Sequence, residues 1–257
     1  MERRFVLKEN GLRIPCVLDE PEYCTVRRCV IGIHGICGSK DSKILEDIAD
    51  EMGLFGAATL RFDFPAHGDS PMESDALTLD TCIETLLYTA QWAHNRYPDL
   101  DFCIFASGFG AYITLIAIDQ LEELVGPVKL VLQTPNLRMS ETLLGMLRMS
   151  EEDLLAAGHA TLNAQRKFDI SYAFYKQVRN YTALTIYDTP MLLLHGELDE
   201  YLPLDDMVNF RRINDGCKLV VIPGADHQFL NPGAWDMVVD LTRDWFEFEQ
   251  VLLCDWS

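Results

Sequence analysis

The stretch "FCIFASGFGAYITLI", residues 102–116, decides the architecture. Its first part is a short apolar run that ends in small residues, the pattern of a buried strand. Its second part is apolar all round, so the chain leaves the turn as a buried helix. Gly108 stands at the apex of the turn, with Ala106 two residues before it and Gly110 two after. Strand and helix pass close together there, which requires small side chains at both flanking places. Were Ser107 the apex, the flanking residues would be Phe105 and Phe109, both too large. Glycine also tolerates the unfavourable backbone of such an apex at little cost.

Outward from this turn, apolar strands alternate with helices, the pattern of a mostly parallel sheet covered on both faces. Buried strands are expected at "CVIGIH" (29–34), "AATLRFD" (57–63), "FCIFA" (102–106), "KLVLQ" (129–133), "MLLLHG" (191–196) and "KLVVIP" (218–223). "RRFVLKEN" and "LRIPCVLDE" flank Asn10-Gly11, a favoured hairpin dipeptide, and bring the total to eight strands. Helices are expected at about 42–53, 78–96, 109–121, 205–214 and 233–249, from apolar residues at three- and four-residue spacing.

Residues 136–188 are too long for a simple crossover and too periodic for a loop. They read as an inserted cap, with 1–135 and 189–257 forming the core. "SETLLGMLRMSEEDLLAAG" gives one or two amphipathic helices with Ser140 and Ser150 as N-caps, and "HATLNAQRKFDIS" a short hairpin. Leu143, Leu144, Met146, Leu147 and Met149 are candidates to line an apolar acyl or aromatic pocket. A Met/Leu stripe at helical spacing more often serves simple packing.

The composition excludes several classes of function. With 257 residues, 49% of them hydrophobic, the chain supports one large domain with a substantial core. A net charge of −19 disfavours nucleic acid and anionic membrane surfaces. No segment has the length of a signal peptide or membrane span, so a cytoplasmic protein is expected. Eight cysteines without Cys-x-x-Cys pairs read as reduced, mostly buried thiols.

Chemistry-bearing residues gather at the C-terminal ends of strands, where open α/β sheets place their ligands. "HGICGSKDS" (34–42) is a strand-to-helix turn that would turn the Ile36 N–H toward the site. "LLLHGELDEYLP" (192–203) presents Glu197, Asp199 and Glu200, of which Asp199 is best spaced to orient an imidazole. "VVIPGADHQFLNPGAW" (220–235) places His227 in a loop before the last helix. His34 and His195 end buried strands and suit structural hydrogen bonding, and His67 suits its own turn.

Turn, acid and histidine follow one another in the chain order of the α/β-hydrolase triad. Over essentially its whole length the sequence resembles that superfamily. "HGICGSK" (34–40) and "YAFYKQVRNYTALTIYDTPMLLLHGELDEYLP" (172–203) resemble its small cytoplasmic cinnamoyl/feruloyl-esterase-like and monoacylglycerol-lipase-like branch. "RFDFPAHGDS" (61–70) resembles the Asp-x-x-Gly-x-Gly-x-Ser turn common in that fold.

The resemblance implies an eight-stranded α/β-hydrolase fold that hydrolyses carboxylic esters without metal or organic cofactor. It also implies Asp199 as the acid, His227 as the base, and the N–H groups of Ile36 and Phe109 as the oxyanion hole. The nucleophile departs from the pattern, because Gly108 occupies the serine's place. Ser107 and Cys37 are the alternative nucleophiles, the first out of frame and the second in the oxyanion loop.

Three readings follow. One is an esterase-lineage hydrolase with impaired turnover, either engineered or naturally diverged. The second is a non-catalytic protein that binds or senses a small ligand. The third is an enzyme that uses the His227–Asp199 dyad without a covalent step. In each the ligand is a small acyl or aryl ester, or the corresponding acid.

Overall fold

A computed structural model describes residues 1–164, 166–231 and 233–248. Cys254 lies outside them. Ten strands are described: β1 (Glu2–Glu9), β2 (Leu12–Asp19), β3 (Arg28–Ile33), β4 (Ala57–Phe62), β5 (Asp101–Ser107), β6 (Val128–Gln133), β7 (His159–Asn163), β8 (Lys167–Ser171), β9 (Met191–Gly196) and β10 (Cys217–Ile222). The helices are α1 (Lys43–Leu54), α2 (Leu79–Arg96), α3 (Gly108–Ile116), α4 (Ile118–Val125), α5 (Met139–Leu147), α6 (Glu151–Ala157), α7 (Tyr172–Arg179), α8 (Leu204–Ile213) and α9 (Ala234–Phe248).

Eight strands form one sheet in the order β1-β2-β4-β3-β5-β6-β9-β10, and β7 pairs with β8 alone. Only β2 runs against its neighbours, antiparallel to both β1 and β4. Asn10 (φ 45°) and Gly11 (φ 85°) close the β1–β2 hairpin, and both angles are what a two-residue primed turn requires. From β3 the chain steps to β4 on one side, and from β5 it steps to β6 on the other. The order reverses between β3 and β5, and a crevice opens beyond their C-terminal ends.

Alternation along the strands feeds two cores. Phe102, Ile104 and Ala106 of β5 pack on the face covered by α2, α3, α4 and α8, whereas Cys103 and Phe105 pack on the face covered by α1 and α9. Fully burying a side chain of this size stabilises by about 1.5–3 kcal/mol. The strands are therefore held by both layers at once.

The helix expected over 109–121 is two helices, α3 and α4, divided at Ala117 (φ −108°, ψ 7°). Neither Gly nor Pro marks that break, and Gly126 (φ 82°, ψ −177°) ends α4 in an extended positive-φ conformation that is essentially confined to glycine. Between β6 and β9 the chain forms α5, α6, the β7–β8 hairpin and α7. Ser150 caps α6 with a reciprocal bond to Asp153, whereas α5 begins after Arg138, with Ser140 inside its first turn. Leu143, Leu162, Phe168, Ile170, Phe174 and Val178 from this segment join the larger core, so the insertion folds onto the sheet's helical layer.

Candidate active site

Gly108 opens α3 with φ 48°, a left-handed backbone that ordinary side chains rarely adopt. A Cβ built there meets nothing closer than the Gly35 Cα at 3.9 Å, so the space over the apex is open. At Gly110 the opposite holds, because a Cβ would lie 2.6 Å from the His34 carbonyl oxygen. Helix and strand pass as closely as the small-residue frame implies. Ser107 stands off the apex, and its Oγ donates to Gln133 Oε1 at 2.8 Å, across the β5–β6 pairing.

On the opposite wall, Asp199 Oδ2 lies 2.8 Å from His227 Nδ1. The Asp199 side chain is wholly buried, while that of His227 is 32% exposed. Backbone N–H groups of Tyr201 and Leu202 donate to the other carboxylate oxygen at 2.8 and 2.9 Å. Burial opposes ionisation of Asp199, but the bonds from His227, Leu202 and Tyr201 outweigh it and hold the carboxyl below its ordinary range. A carboxylate fixed in this way sets the ring orientation of the imidazole and stabilises its cation. The loop carrying His227 lies against β9, where a Cβ on Gly196 would sit 2.5 Å from the Ala225 oxygen.

A cleft of about 630 Å³ joins these groups; it is lined by Gly108, Ile36, Phe109, Ser107, Gln133 and His227 among others. The N–H groups of Ile36 and Phe109 donate to no protein acceptor among the described residues. Cys37 also lines the cleft; the residue is exposed, and partial loss of solvation by the surrounding protein raises its thiol pKa, away from the nucleophilic thiolate.

Of the apolar candidates between residues 143 and 149, Met146 lines the cleft. The others correct the expectation. Leu143 is fully buried in the core and Leu147 packs against it, while Leu144 and Met149 are absent from the cleft lining. The periodic stripe serves packing first.

Neighbouring loops hold the Ile36 segment in place. Asp63 is 1% exposed and accepts the Lys40 N–H at 2.7 Å, the Lys40 ammonium at 2.9 Å and the Asp69 N–H at 2.9 Å. The His67 ring bridges the carbonyls of Pro65 (2.8 Å) and Ile36 (2.7 Å). His34 lies 2.7 Å from the Gly35 oxygen through Nδ1 and accepts the Phe64 N–H at 3.2 Å through Nε2. His195 differs: it is buried, neither ring nitrogen makes a well-formed hydrogen bond, and burial outweighs Asp199 and the Leu202 backbone in holding its pKa down.

Gln133, Asn136 and Lys40 were not singled out from the sequence. The one signal was the polar glutamine that ends the apolar run "KLVLQ". Among the described residues no helix is long and apolar enough to cross a membrane.

No family model and no curated protein matches the sequence. Solved structures do match along nearly the whole chain. Est1E from Butyrivibrio proteoclasticus, with ferulic acid bound, superposes with TM-score 0.78 at 20% identity, covering 94% of this chain and 97% of that one. Mouse alpha/beta hydrolase domain-containing protein 10 gives 0.76 at 16% identity, covering 96% and 100%. The esterase domain of a Rhodothermus marinus protein gives 0.71 at 18% identity, covering 95% and 97%. The strand order, the turn at Gly108 and these superpositions agree, and the chain has the α/β-hydrolase fold.

Proposed function

We propose that this protein is of carboxylic-ester hydrolase lineage and binds small acyl or aryl esters, or the corresponding acids, in the cleft over Gly108. In this reading His227 is the general base, Asp199 orients it, and the N–H groups of Ile36 and Phe109 are the oxyanion donors. The segment 136–188 is the cap, contributing Asn136, Thr142 and Met146 to the lining. One observation carries the reading: a left-handed apex glycine with open space above it shares a cleft with a bonded His–Asp pair. The esterase neighbours, one with ferulic acid bound, support it.

Without a hydroxyl at 108 no acyl-enzyme forms there. In a serine protease the loss of the nucleophile costs about 10⁶ in kcat and leaves roughly 10³–10⁴ over water. Turnover here is reduced to what His227 draws from a water in the open space. A fluorophosphonate probe tests the assignment. The native chain should remain unlabelled and Gly108→Ser should label in a His227-dependent manner; native labelling lost in Ser107→Ala would overturn it.

A further inference from the structure

Two side-chain amides beside the apex have no role in the reading above. Gln133 is 5% exposed and Asn136 4% exposed, and both line the cleft. Their oxygens are occupied, since Gln133 Oε1 accepts the Ser107 hydroxyl at 2.8 Å and Asn136 Oδ1 accepts the Thr142 hydroxyl at 3.0 Å. With the oxygens fixed in this way, each –NH2 group faces the other direction. Neither donates to a protein acceptor among the described residues, and neither is sealed from solvent. Both residues line the cleft, and a buried amide whose donors have no protein acceptor lacks its partner.

Both amides stand next to Gly108. Gln133 pairs with Ser107 across the β5–β6 ladder, and the Asn136 N–H donates to the Gly108 carbonyl at 3.2 Å. On the other side of the apex are the free N–H groups of Ile36 and Phe109, the latter in the first turn of the nine-residue α3. The cleft thus gathers backbone donors from Ile36 and Phe109 and side-chain donors from Gln133 and Asn136 around the apex. Ile44, Leu45, Leu230 and Trp235 supply an apolar wall to the same cleft.

The geometry points to a receptor site for a carboxylate: the cleft binds the free acid with an apolar acyl or aryl body in preference to its ester. One carboxylate oxygen meets the Ile36 and Phe109 N–H groups, and the other meets the Gln133 and Asn136 amides. Charge-assisted bonds of this kind are about twice as strong as neutral ones, and a helix N-terminus favours an anion. No carboxylate lines the cleft among the described residues, and Asp199 behind His227 is wholly buried and already holds three donors. The net charge of −19 acts from farther away and is screened beyond about 8 Å at physiological salt. The inference rests on the cleft being the acyl or aryl site.

The test is calorimetric titration with cinnamate and its neutral twins cinnamamide and methyl cinnamate, read also through the emission of Trp235 in the cleft. The expected result is carboxylate affinity about tenfold or more above both twins. Gln133→Met and Asn136→Leu remove the donors and add no charge, so a selective loss of carboxylate affinity reads the missing hydrogen bonds and not repulsion. Each should lower carboxylate affinity by about tenfold and leave cinnamamide affinity within about threefold. Neutral twins that bind as tightly as the acid, or variants that weaken acid and amide alike, overturn the carboxylate site and leave the acyl or aryl cleft standing. If neither acid nor twins bind at about 1 mM, both readings fall.

Discussion

Replacing Gly108 by serine puts the missing hydroxyl at the apex, and the structure sets both its cost and its gain. The cost is confined to the backbone, because φ is 48° and the nearest atom to a new Cβ is 3.9 Å away. Holding a non-glycine residue in this region costs about 1–3 kcal/mol. For a chain of this size that lowers Tm by on the order of 5 °C. The gain comes from the nucleophile, worth about 10⁶ in kcat where the remaining groups are in register. Misplacement by about 1 Å withholds about 10² of it, leaving a rise on the order of 10⁴.

The assay is hydrolysis of p-nitrophenyl acetate and butyrate. A burst of p-nitrophenolate should match the enzyme concentration, because a covalent intermediate now accumulates. His227→Ala in the restored protein should remove the rise, and Ser107→Ala should not. Folded Gly108→Ser with no rise over the parent across acyl and aryl esters would refute the esterase lineage. A rise that persists without His227 would refute the assignment of the base.

Three further outcomes follow from the same geometry. Gly110→Ala should destabilise far more than Gly108→Ser, since its Cβ would lie 2.6 Å from the His34 oxygen and 3.0 Å from the Ile33 oxygen; equal melting temperatures for the two variants would contradict this close approach. In the Gly108→Ser background, Asp199→Asn should lower esterase kcat by about 10⁴ through the wrong imidazole tautomer, and a change under tenfold would remove Asp199 from the pair. Burial, and secondarily the neighbouring His67, push His34 down to about 3 from 6.5. The unfolded chain then takes up a proton in acid that the folded chain refuses, so this contribution is full above pH 6.5 and lost as pH falls toward 3. The loss is about 1.4 kcal/mol per pH unit, and His67 is displaced in the same direction by burial. Denaturant titrations from pH 7 to 5 should show this fall, reduced in His34→Gln; an identical slope in the variant would show that His34 is not its source.

Sequence alone determined whatever depends on local pattern. The alternation of short apolar runs with helical periods specified eight strands and a largely parallel sheet, because the inner strands β3, β4, β5, β6 and β9 are buried on both faces and carry that burial in their composition. Asn10-Gly11 specified a hairpin, since both residues accept positive φ. The frame around Gly108 was legible for a steric reason: only Ala106 and Gly110 are small enough where helix meets strand. The order of Asp199 and His227 along the chain was legible too, but their 2.8 Å contact joins positions 28 residues apart through the packing of the loops after β9 and β10.

Tertiary structure alone decided what depends on which surfaces meet. The break at Ala117 has no glycine or proline to announce it, and packing overrides helix propensity there. Leu143 and Leu147 carry the same periodic signal as Met146, yet a helix face turned to the core and one turned to a cleft have equal apolar spacing. The Lys40–Asp63 anchor and the Gln133 and Asn136 amides were hidden for the same reason: a buried polar group is defined by partners distant in sequence, and only the fold brings them within hydrogen-bond reach.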